Sequence, residues 1–320
     1  MGRYIIRRVL QAIPLLFLLS IAMFLLLHAL PGGPEQVLFN PHLSAAGRAA
    51  LRAHFGLDDP LPVQYLKWIS RAFTGDFGTS FADNRPVTEV LAQRFPATLQ
   101  LFSAALVLAL VLAIFLGVVS AVFQRTAVDY TLTTLAYFGV AMPIFLFGLL
   151  AQFIFGIALH WLPVSGAESP ALTLDPLGAF LDRLQHMILP MLVLSITFIA
   201  GWSRYMRSSM IEVVKQDYMR TARAKGVGQV SLLMRHAFRN AVIPLITIVA
   251  LDFGAIAGGA TITEGVFAWP GMGLLFIASL NARDYPVLIA MLMLSAFLVI
   301  AFNLIADILY AVLDPRIRYT

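Results

Sequence analysis

The sequence predicts an all-α polytopic membrane protein with six transmembrane helices and an extracytoplasmic insertion between the first and second of them. Of its 320 residues, 60% are hydrophobic and only 12% are charged, whereas a soluble domain averages about 25% charged residues. The mean hydropathy is +0.84. Six apolar segments are long enough to cross about 30 Å of hydrocarbon at about 1.5 Å per helical residue.

The first apolar segment follows the basic residues Arg3, Arg7 and Arg8. A secretory signal peptide has a similar start, but its apolar core is usually about 7–15 residues long and ends at a small-residue cleavage site. We therefore predict an uncleaved span. The predicted spans are Val9–Leu30, Ala97–Phe123, Thr131–Leu159, Leu184–Trp202, Ala241–Thr263 and Pro286–Leu313.

Three regions follow from these spans: an N-terminal transmembrane helix (1–30), an extracytoplasmic subdomain (31–96), and five helices (97–320) that include a cytoplasmic loop at 203–240. The subdomain is too small to be independently stable. Its helices are predicted at Ser44–Phe55 and Val63–Phe73, because capping and apolar spacing favour them there. Within the third span, residues 139–143 contain glycine and proline and predict a kink.

The distribution of basic residues predicts the orientation of the protein in the membrane. With six spans, 14 of the 22 lysines and arginines lie on the side that holds both termini. Short loops on the cytoplasmic side of a membrane protein carry the excess of Lys and Arg. Both termini are therefore expected in the cytoplasm.

Several functions are not expected from this composition. The chain has no cysteine and no GxxxxGK[ST] motif, which argues against thiolate metal sites and against the usual phosphate-binding loop. The histidines at span ends, His28, His160 and His186, are interpreted as structural. Ser165 lies near His160 but lacks a nucleophile-elbow motif. We expect no catalytic site, no metal, no cofactor in this chain and no nucleic-acid partner.

The loop Asp217–Pro244 is the most polar stretch outside the insertion. Each of its charged residues would cost about 2.5–3.5 kcal/mol in hydrocarbon, so it must lie in water. A short helix is predicted at Tyr218–Lys225, ended by Gly226, and a second at Val230–Ala241. Two interpretations stay open from the residues alone: a basic loop near anionic lipid, or a docking element for another protein.

The loop resembles the "EAA" loop of permease subunits of ATP-binding-cassette importers. Thr221-Ala222-Arg223-Ala224-Lys225-Gly226 stands in place of the E-A-A-x-x-x-G core, with Thr221 where the family usually has glutamate. The closing segment, residues 236–244, is similar to that of the oligopeptide/dipeptide branch. Further motifs that resemble this branch lie at residues 30–34, 55–65, 75–80, 94–99, 161–166 and 267–273.

The resemblance implies a type I importer permease fold in a bacterial or archaeal cytoplasmic membrane. It implies transport of di- or oligopeptides with a second permease subunit, two ATPase subunits that bind ATP and Mg, and an extracytoplasmic solute-binding protein. That protein would dock on the outward loops, chiefly the insertion. The residues expected to couple to the ATPase are Tyr218, Thr221, Ala222, Arg223, Ala224, Lys225, Gly226, His236, Arg239, Asn240 and Pro244.

Three acidic residues lie within or at the ends of spans: Asp252, Glu264 and Asp307. Carboxylates in a membrane are candidates for a transport pathway, and we assign them to it as a hypothesis. They would also be the couplers if the chain were a secondary transporter driven by an ion gradient. A sibling cargo (nickel chelate, glutathione or oligosaccharide) and a scaffold without a pathway also stay open.

Overall fold

The computed structural model describes residues 2–29, 58–169, 175–258 and 260–313, and nearly all of these are helical. The helices are α1 (Gly2–Ala29), α2 (Leu61–Phe73), α3 (Val87–Val122), α4 (Ala127–Ala141), α5 (Ile144–Ala151), α6 (Pro176–Val214), α7 (Asp217–Ala224), α8 (Arg239–Phe253), α9 (Thr261–Val266), α10 (Met272–Ala282) and α11 (Tyr285–Leu313). The π-helical segments Gln152–Ala158 and Leu232–Phe238 extend α5 and precede α8.

Each predicted span corresponds to a helix in the described part of the chain. Four helical stretches are long and apolar enough to cross a membrane: α3, α6, Gln229–Phe253 and Tyr285–Ile308. The bent pair formed by α4 and α5 is a fifth candidate, and α1 carries the shorter apolar stretch Leu10–Leu26. The all-α polytopic class is confirmed.

The predicted kink in the third span is a bend of 101° between α4 and α5. Met142 is extended, with φ −84° and ψ 131°, and Pro143 follows it at the start of α5. Proline disfavours the helical conformation of the residue before it. The chain therefore leaves the helix at Met142 and starts a new one in another direction.

Two spans extend furthest beyond the predicted bounds. α3 starts at Val87, ten residues before Ala97, and continues through Pro96. α6 starts at Pro176, where the Asp175 side chain accepts a hydrogen bond from the Gly178 N–H at 3.1 Å, and it runs to Val214. Both extensions are polar enough to lie outside an apolar window, and the start of α6 is stabilised in addition by its Asp175 cap.

The fifth span differs most from the prediction. α8 ends at Phe253 rather than at Thr263, and a 3₁₀ segment, Gly254–Gly258, follows it. A Cβ at Gly254 would lie 3.1 Å from the Cα of Val299 on α11. Close approach of two backbones favours glycine there, and glycine weakens helix continuity. The short helices α9 and α10 then follow, and α10 was not predicted.

The core lies where α3 and α6 pack along much of their length. A Cβ added at Gly117 on α3 would lie 2.6 Å from the Met206 Cβ and 2.7 Å from the Ser203 carbonyl oxygen of α6. On α4, a Cβ at Gly139 would lie 3.2 Å from the Ala200 Cβ. The three helices therefore pack with almost no space between their backbones, and sliding one along another would create a steric clash.

We call the two ends of the helical assembly the insertion side, which holds residues 58–86, and the loop side, which holds α7. On the insertion side, the Tyr65 hydroxyl lies 2.7 Å from Ser20 Oγ of α1. The buried carboxylate of Asp284 accepts hydrogen bonds from the backbone N–H groups of Phe81 (3.0 Å) and Ala82 (3.3 Å) and from the hydroxyl of Ser80.

Two further observations concern the insertion. The Arg85 guanidinium donates to the Asp83 carboxylate at 2.6 Å and holds the pKa of that carboxyl below its usual range. The helix predicted at Val63–Phe73 is observed as α2. The helix predicted at Ser44–Phe55 lies outside the described residues.

Candidate functional site

The candidate site is the loop-side segment that contains α7. The last turn of α7 is closed by two backbone hydrogen bonds, from Gly226 N–H to Arg223 O at 3.0 Å and from Val227 N–H to Ala222 O at 3.3 Å. These are the two bonds of a Schellman motif. Gly226 has φ +77°, the left-handed conformation that the motif requires and that residues with a Cβ disfavour.

One side chain fixes α7 to the helices behind it. Met219 is 1% exposed and belongs to the main core cluster together with Met206 and Met210 of α6 and with Leu232. Burying a methionine side chain contributes about 1.5–3 kcal/mol. A cavity of about 230 Å³ lies beside this contact, between α7 and the ends of α3 and α6. Met219 therefore makes α7 a part of the helical core rather than a free loop.

The exposed side chains on and just after α7 are mostly basic. Arg220, Arg223 and the following Lys225 are exposed. The only acidic residue of α7, Asp217, lies 3.5 Å from Arg220, and both side chains are almost fully in water. Such a pair contributes little to stability. α7 thus presents cationic side chains to water and is capped at its C-terminal end.

The segment that joins α7 to α8 is less regular than predicted. The predicted helix Val230–Ala241 consists of a helical turn at Gln229–Ser231, the π-helical Leu232–Phe238 and the start of α8. π-Helical segments are rare and frequently occur at functional sites. Asn240 Nδ2 donates to the Tyr218 hydroxyl at 3.2 Å and to the His236 carbonyl at 2.9 Å, so the start of α8 contacts α7 directly.

The remaining predicted coupling residues lie around this junction. Thr221 donates to the Asp217 carbonyl at 3.1 Å within α7. Arg239 is exposed at the first turn of α8, and Pro244 is exposed one turn later. Ala222 packs against the main core cluster, while Ala224 is exposed. The structure thus brings the eleven predicted coupling residues together on the loop side.

The Glu264 carboxylate is buried and hydrogen-bonded. It is 0% exposed and accepts hydrogen bonds from the Thr98 hydroxyl at 2.8 Å and from the backbone N–H groups of Gly273 at 2.7 Å and Leu274 at 3.2 Å. A carboxylate at the start of a helix satisfies N–H groups that have no partner within the helix. Glu264 therefore fixes α9 and α10 to α3.

Asp252 and Asp307 lie on different helices from Glu264. Asp252, near the end of α8, accepts a hydrogen bond from Trp202 Nε1 of α6 at 2.8 Å. Asp307 is partly buried on α11. The pathway role of the three acidic residues stays a prediction. Among the described residues, no group of three or more His, Asp or Glu could hold a metal ion.

Sequence reasoning missed an ion pair between α4 and α6. Arg207 Nε lies 2.7 Å from Asp129 Oδ1, and Arg207 Nη2 lies 2.8 Å from Asp129 Oδ2. From the sequence, Arg207 counts only as one of the 14 basic residues that predict the orientation of the protein in the membrane. The signal that could have found the pair is an acidic residue at the start of one span and a basic residue near the end of another.

Comparison with known proteins gives the family. Residues 113–319 match the family described as binding-protein-dependent transport system inner membrane component, and residues 1–102 match the N-terminal region of such membrane components. The chain is 44% identical to the oligopeptide transport system permease protein AppB of Bacillus subtilis over 320 residues, which cover the full length of both chains.

A second relative is named for a different cargo. The glutathione transport system permease protein GsiC of Salmonella typhimurium is 40% identical over 319 residues, again with full coverage of both chains. The matches extend over the insertion, the spans and the loop that contains α7. This protein is therefore a transport subunit rather than an enzyme, and it belongs to the family of inner membrane components of binding-protein-dependent transport systems.

Proposed function

We propose that the chain is the membrane-spanning permease subunit of an ATP-driven importer that moves di- and oligopeptides across the cytoplasmic membrane. The cargo rests on similarity to a protein named as an oligopeptide permease over the whole of both chains. ATP and Mg are bound by two separate ATPase subunits. A second, homologous permease subunit and a solute-binding protein complete the complex.

The observation that carries the coupling role is the construction of α7. Arg220, Arg223 and Lys225 are exposed on and just after this helix, and Met219 holds it in the core. A cationic helix of two turns fits a groove lined with carboxylates on an ATPase, where charge-assisted hydrogen bonds form. Because the helix is capped at Gly226 and packed at Met219, a force on its outer face moves the helices behind it.

Two routes lead from α7 into the membrane. One passes through Gln216 and Lys215 into α6, with which α7 is continuous apart from this short turn. The other passes through the Asn240–Tyr218 contact into α8. Closure of the ATPase dimer would move α7, and α6 and α8 would then rock as packed bodies. Such rigid-body motion gives alternating access to the two sides of the membrane.

The orientation follows from charge. Because 14 of the 22 basic residues lie on the side of the termini, the loop side faces the cytoplasm and the insertion side faces outward. The ordered outward elements offer the binding protein a surface, since Asp284 holds residues 80–82 of the insertion.

The second candidate cargo is glutathione, which one relative's name indicates. Glutathione is itself a small peptide, so the two candidate cargoes share a chemistry and differ in size and side chains. A secondary transporter is a different class, and its couplers would be Asp252, Glu264 and Asp307. Uptake that survives loss of the ATPases and collapses with the proton gradient would favour that class.

The test is uptake in proteoliposomes that contain the complete complex and its binding protein. We expect ATP-dependent accumulation of a labelled di- or oligopeptide, measured with and without glutathione as a competitor. If glutathione accumulates with ATP and no other peptide does, the cargo is glutathione. Accumulation without ATP would refute the assignment to ATP-driven importers.

Deletion of residues 40–81 tests whether the binding protein docks on the insertion. If binding-protein-dependent uptake persists in a correctly inserted complex, docking on the insertion is refuted.

A further inference from the structure

The Asp129 carboxylate lies at the junction of several helices on the loop side. It is in the first turn of α4 and is 2% exposed. Both of its oxygens accept from Arg207 of α6, at 2.7 and 2.8 Å. A bidentate arginine–carboxylate pair fixes direction as well as distance, which a lysine ammonium does not.

Three further groups donate to the carboxylate, the longest bond being that of the Thr133 hydroxyl to Oδ1, at 3.4 Å. The Ser120 hydroxyl of α3 donates to Asp129 Oδ1 at 2.6 Å. The Arg125 backbone N–H donates to Oδ2 at 2.9 Å from the turn between α3 and α4, where Arg125 has φ 64°. One carboxylate therefore joins α3, the following turn, α4 and α6 at a single point.

The pair is poorly explained as a source of stability. Removing two charges from water costs as much as their attraction returns, so buried pairs are often no better than apolar residues of the same volume. What the pair does supply is a fixed geometry between helices. The position of the pair suits this role, because Arg207 lies about 10 Å along the helix from the end of α6 at Val214. α7 begins after a short turn, at Asp217.

The packing on either side of the pair differs. Toward the middle of the bundle, Gly117 and Gly139 hold α3 and α4 so close to α6 that a methyl group would meet the Met206 or Ala200 Cβ. Toward α8, the contacts are apolar side chains, Ala241 and Leu245 in the same core cluster as Met206, together with the hydrogen bond from Ser209 Oγ to the Ala241 carbonyl at 2.9 Å. A π-helical segment precedes that end of α8.

We propose that the Asp129–Arg207 pair is a positioning pair that makes the loop-side ends of α3, α4 and α6 move as one rigid body, so that motion received by α7 reaches the bent span α4–α5. The inference rests on the proposed coupling role of α7. Relative movement takes place at the boundary between this body and α8. Neither residue touches cargo or nucleotide; they act by fixing helices.

The first test uses the protein with its pair intact. The chain has no cysteine, so spin labels can be placed at Tyr130→Cys on α4 and Tyr205→Cys on α6, both of which are exposed. In the complete reconstituted complex, we expect one narrow distance by electron paramagnetic resonance, unchanged between the nucleotide-free and the ATP-trapped states. A label pair from Tyr205→Cys to the second permease subunit should change. A change in the α4–α6 distance itself would overturn the proposal.

The second test removes the charge from the pair. Asp129→Asn should broaden the α4–α6 distance and lower the peptide transported per ATP hydrolysed by at least about fivefold, with ATP hydrolysis retained. Arg207→Lys keeps the charge but loses the bidentate geometry, and it should broaden the distance as well. Glu168→Gln also removes the charge from an ion pair, the exposed pair with Arg183 at the other end of α6, so it serves as the control and should leave both readouts nearly unchanged.

The outcomes separate this inference from the coupling role. If Asp129→Asn keeps both a narrow distance and full coupling, the positioning role is refuted. If the distances behave as expected but disruption of α7 at Gly226 leaves transport intact, the coupling role of α7 fails and the rigid body stands. If Asp129→Asn does not assemble, Arg207→Lys and the label pair in the unaltered site still refute or support the proposal.

Discussion

Gly226 ends α7 in a left-handed conformation, with φ +77°. A Cβ at this position would meet no atom within 4 Å, so only the backbone conformation disfavours substitution. We expect Gly226→Val to cost about 1–2 kcal/mol and to lower peptide transport per ATP hydrolysed without blocking membrane insertion. Uptake and ATP hydrolysis measured on the same proteoliposomes give the ratio.

Gly228 provides the matched control for this substitution. It too has open space around its Cα, but its φ is −60°, which valine accepts. Gly228→Val should therefore transport with normal coupling. Equal coupling in the two variants would show that the helix stop has no role in transport.

Glu264 has a predicted role in the pathway, and its buried carboxylate also accepts a network of hydrogen bonds. Glu264→Gln replaces one acceptor oxygen by an NH₂ group, which would face the donor N–H groups of Gly273 and Leu274 or the Thr98 hydroxyl. Leaving buried donors unsatisfied costs about 1–3 kcal/mol, so the thermal unfolding midpoint of the solubilised complex should fall.

Glu168→Gln is the control at the same scale. Its carboxylate pairs with Arg183 at 2.9 Å, but the Glu168 side chain is 70% exposed. Exposed pairs contribute about 0–1 kcal/mol, and the midpoint should hardly change. If both variants unfold at the same temperature, the network around Glu264 is not stabilising α9 and α10.

At the scale of elements, α7 depends on its single buried side chain. Met219→Ala should cost about 2–5 kcal/mol of local packing and free α7 from α6, so that ATP hydrolysis continues while peptide uptake falls. Met234→Ala is the same chemical change at a side chain that is 55% exposed, and it should leave uptake unchanged. Normal uptake with Met219→Ala would mean that α7 transmits force without this contact.

The helices and the bend at Pro143 were largely predictable, whereas the 3₁₀ and π-helical interruptions were not. The run of apolar residues indicates a span, and Pro143 indicates the bend. The 3₁₀ segment after Phe253 depends on the approach of Gly254 to the Val299 backbone, a contact between residues 45 positions apart in sequence. The π-helical Leu232–Phe238 likewise has no signature in the pattern of its residues.

For the whole molecule, the proposed orientation makes a direct prediction. Because the chain has no cysteine, Ser70→Cys on α2 and Ser231→Cys beside α7 can each be the only thiol, and both positions are exposed. In intact cells with a permeable outer envelope, a membrane-impermeant maleimide should label Ser70→Cys at once and Ser231→Cys only after the membrane is opened. The reverse pattern would invert the topology.

The sequence by itself determined the membrane class, the existence of a helix for every span, the water-exposed loop and the resemblance to importer permeases. These depend on composition, apolar run length and short motifs, all of which are local. Only the tertiary structure decided that Glu264 caps α10 against Thr98, that Met219 holds α7 in the core, and that Asp129 and Arg207 meet. The physical reason is that each of these depends on the distance between residues far apart in the chain, and packing alone sets that distance.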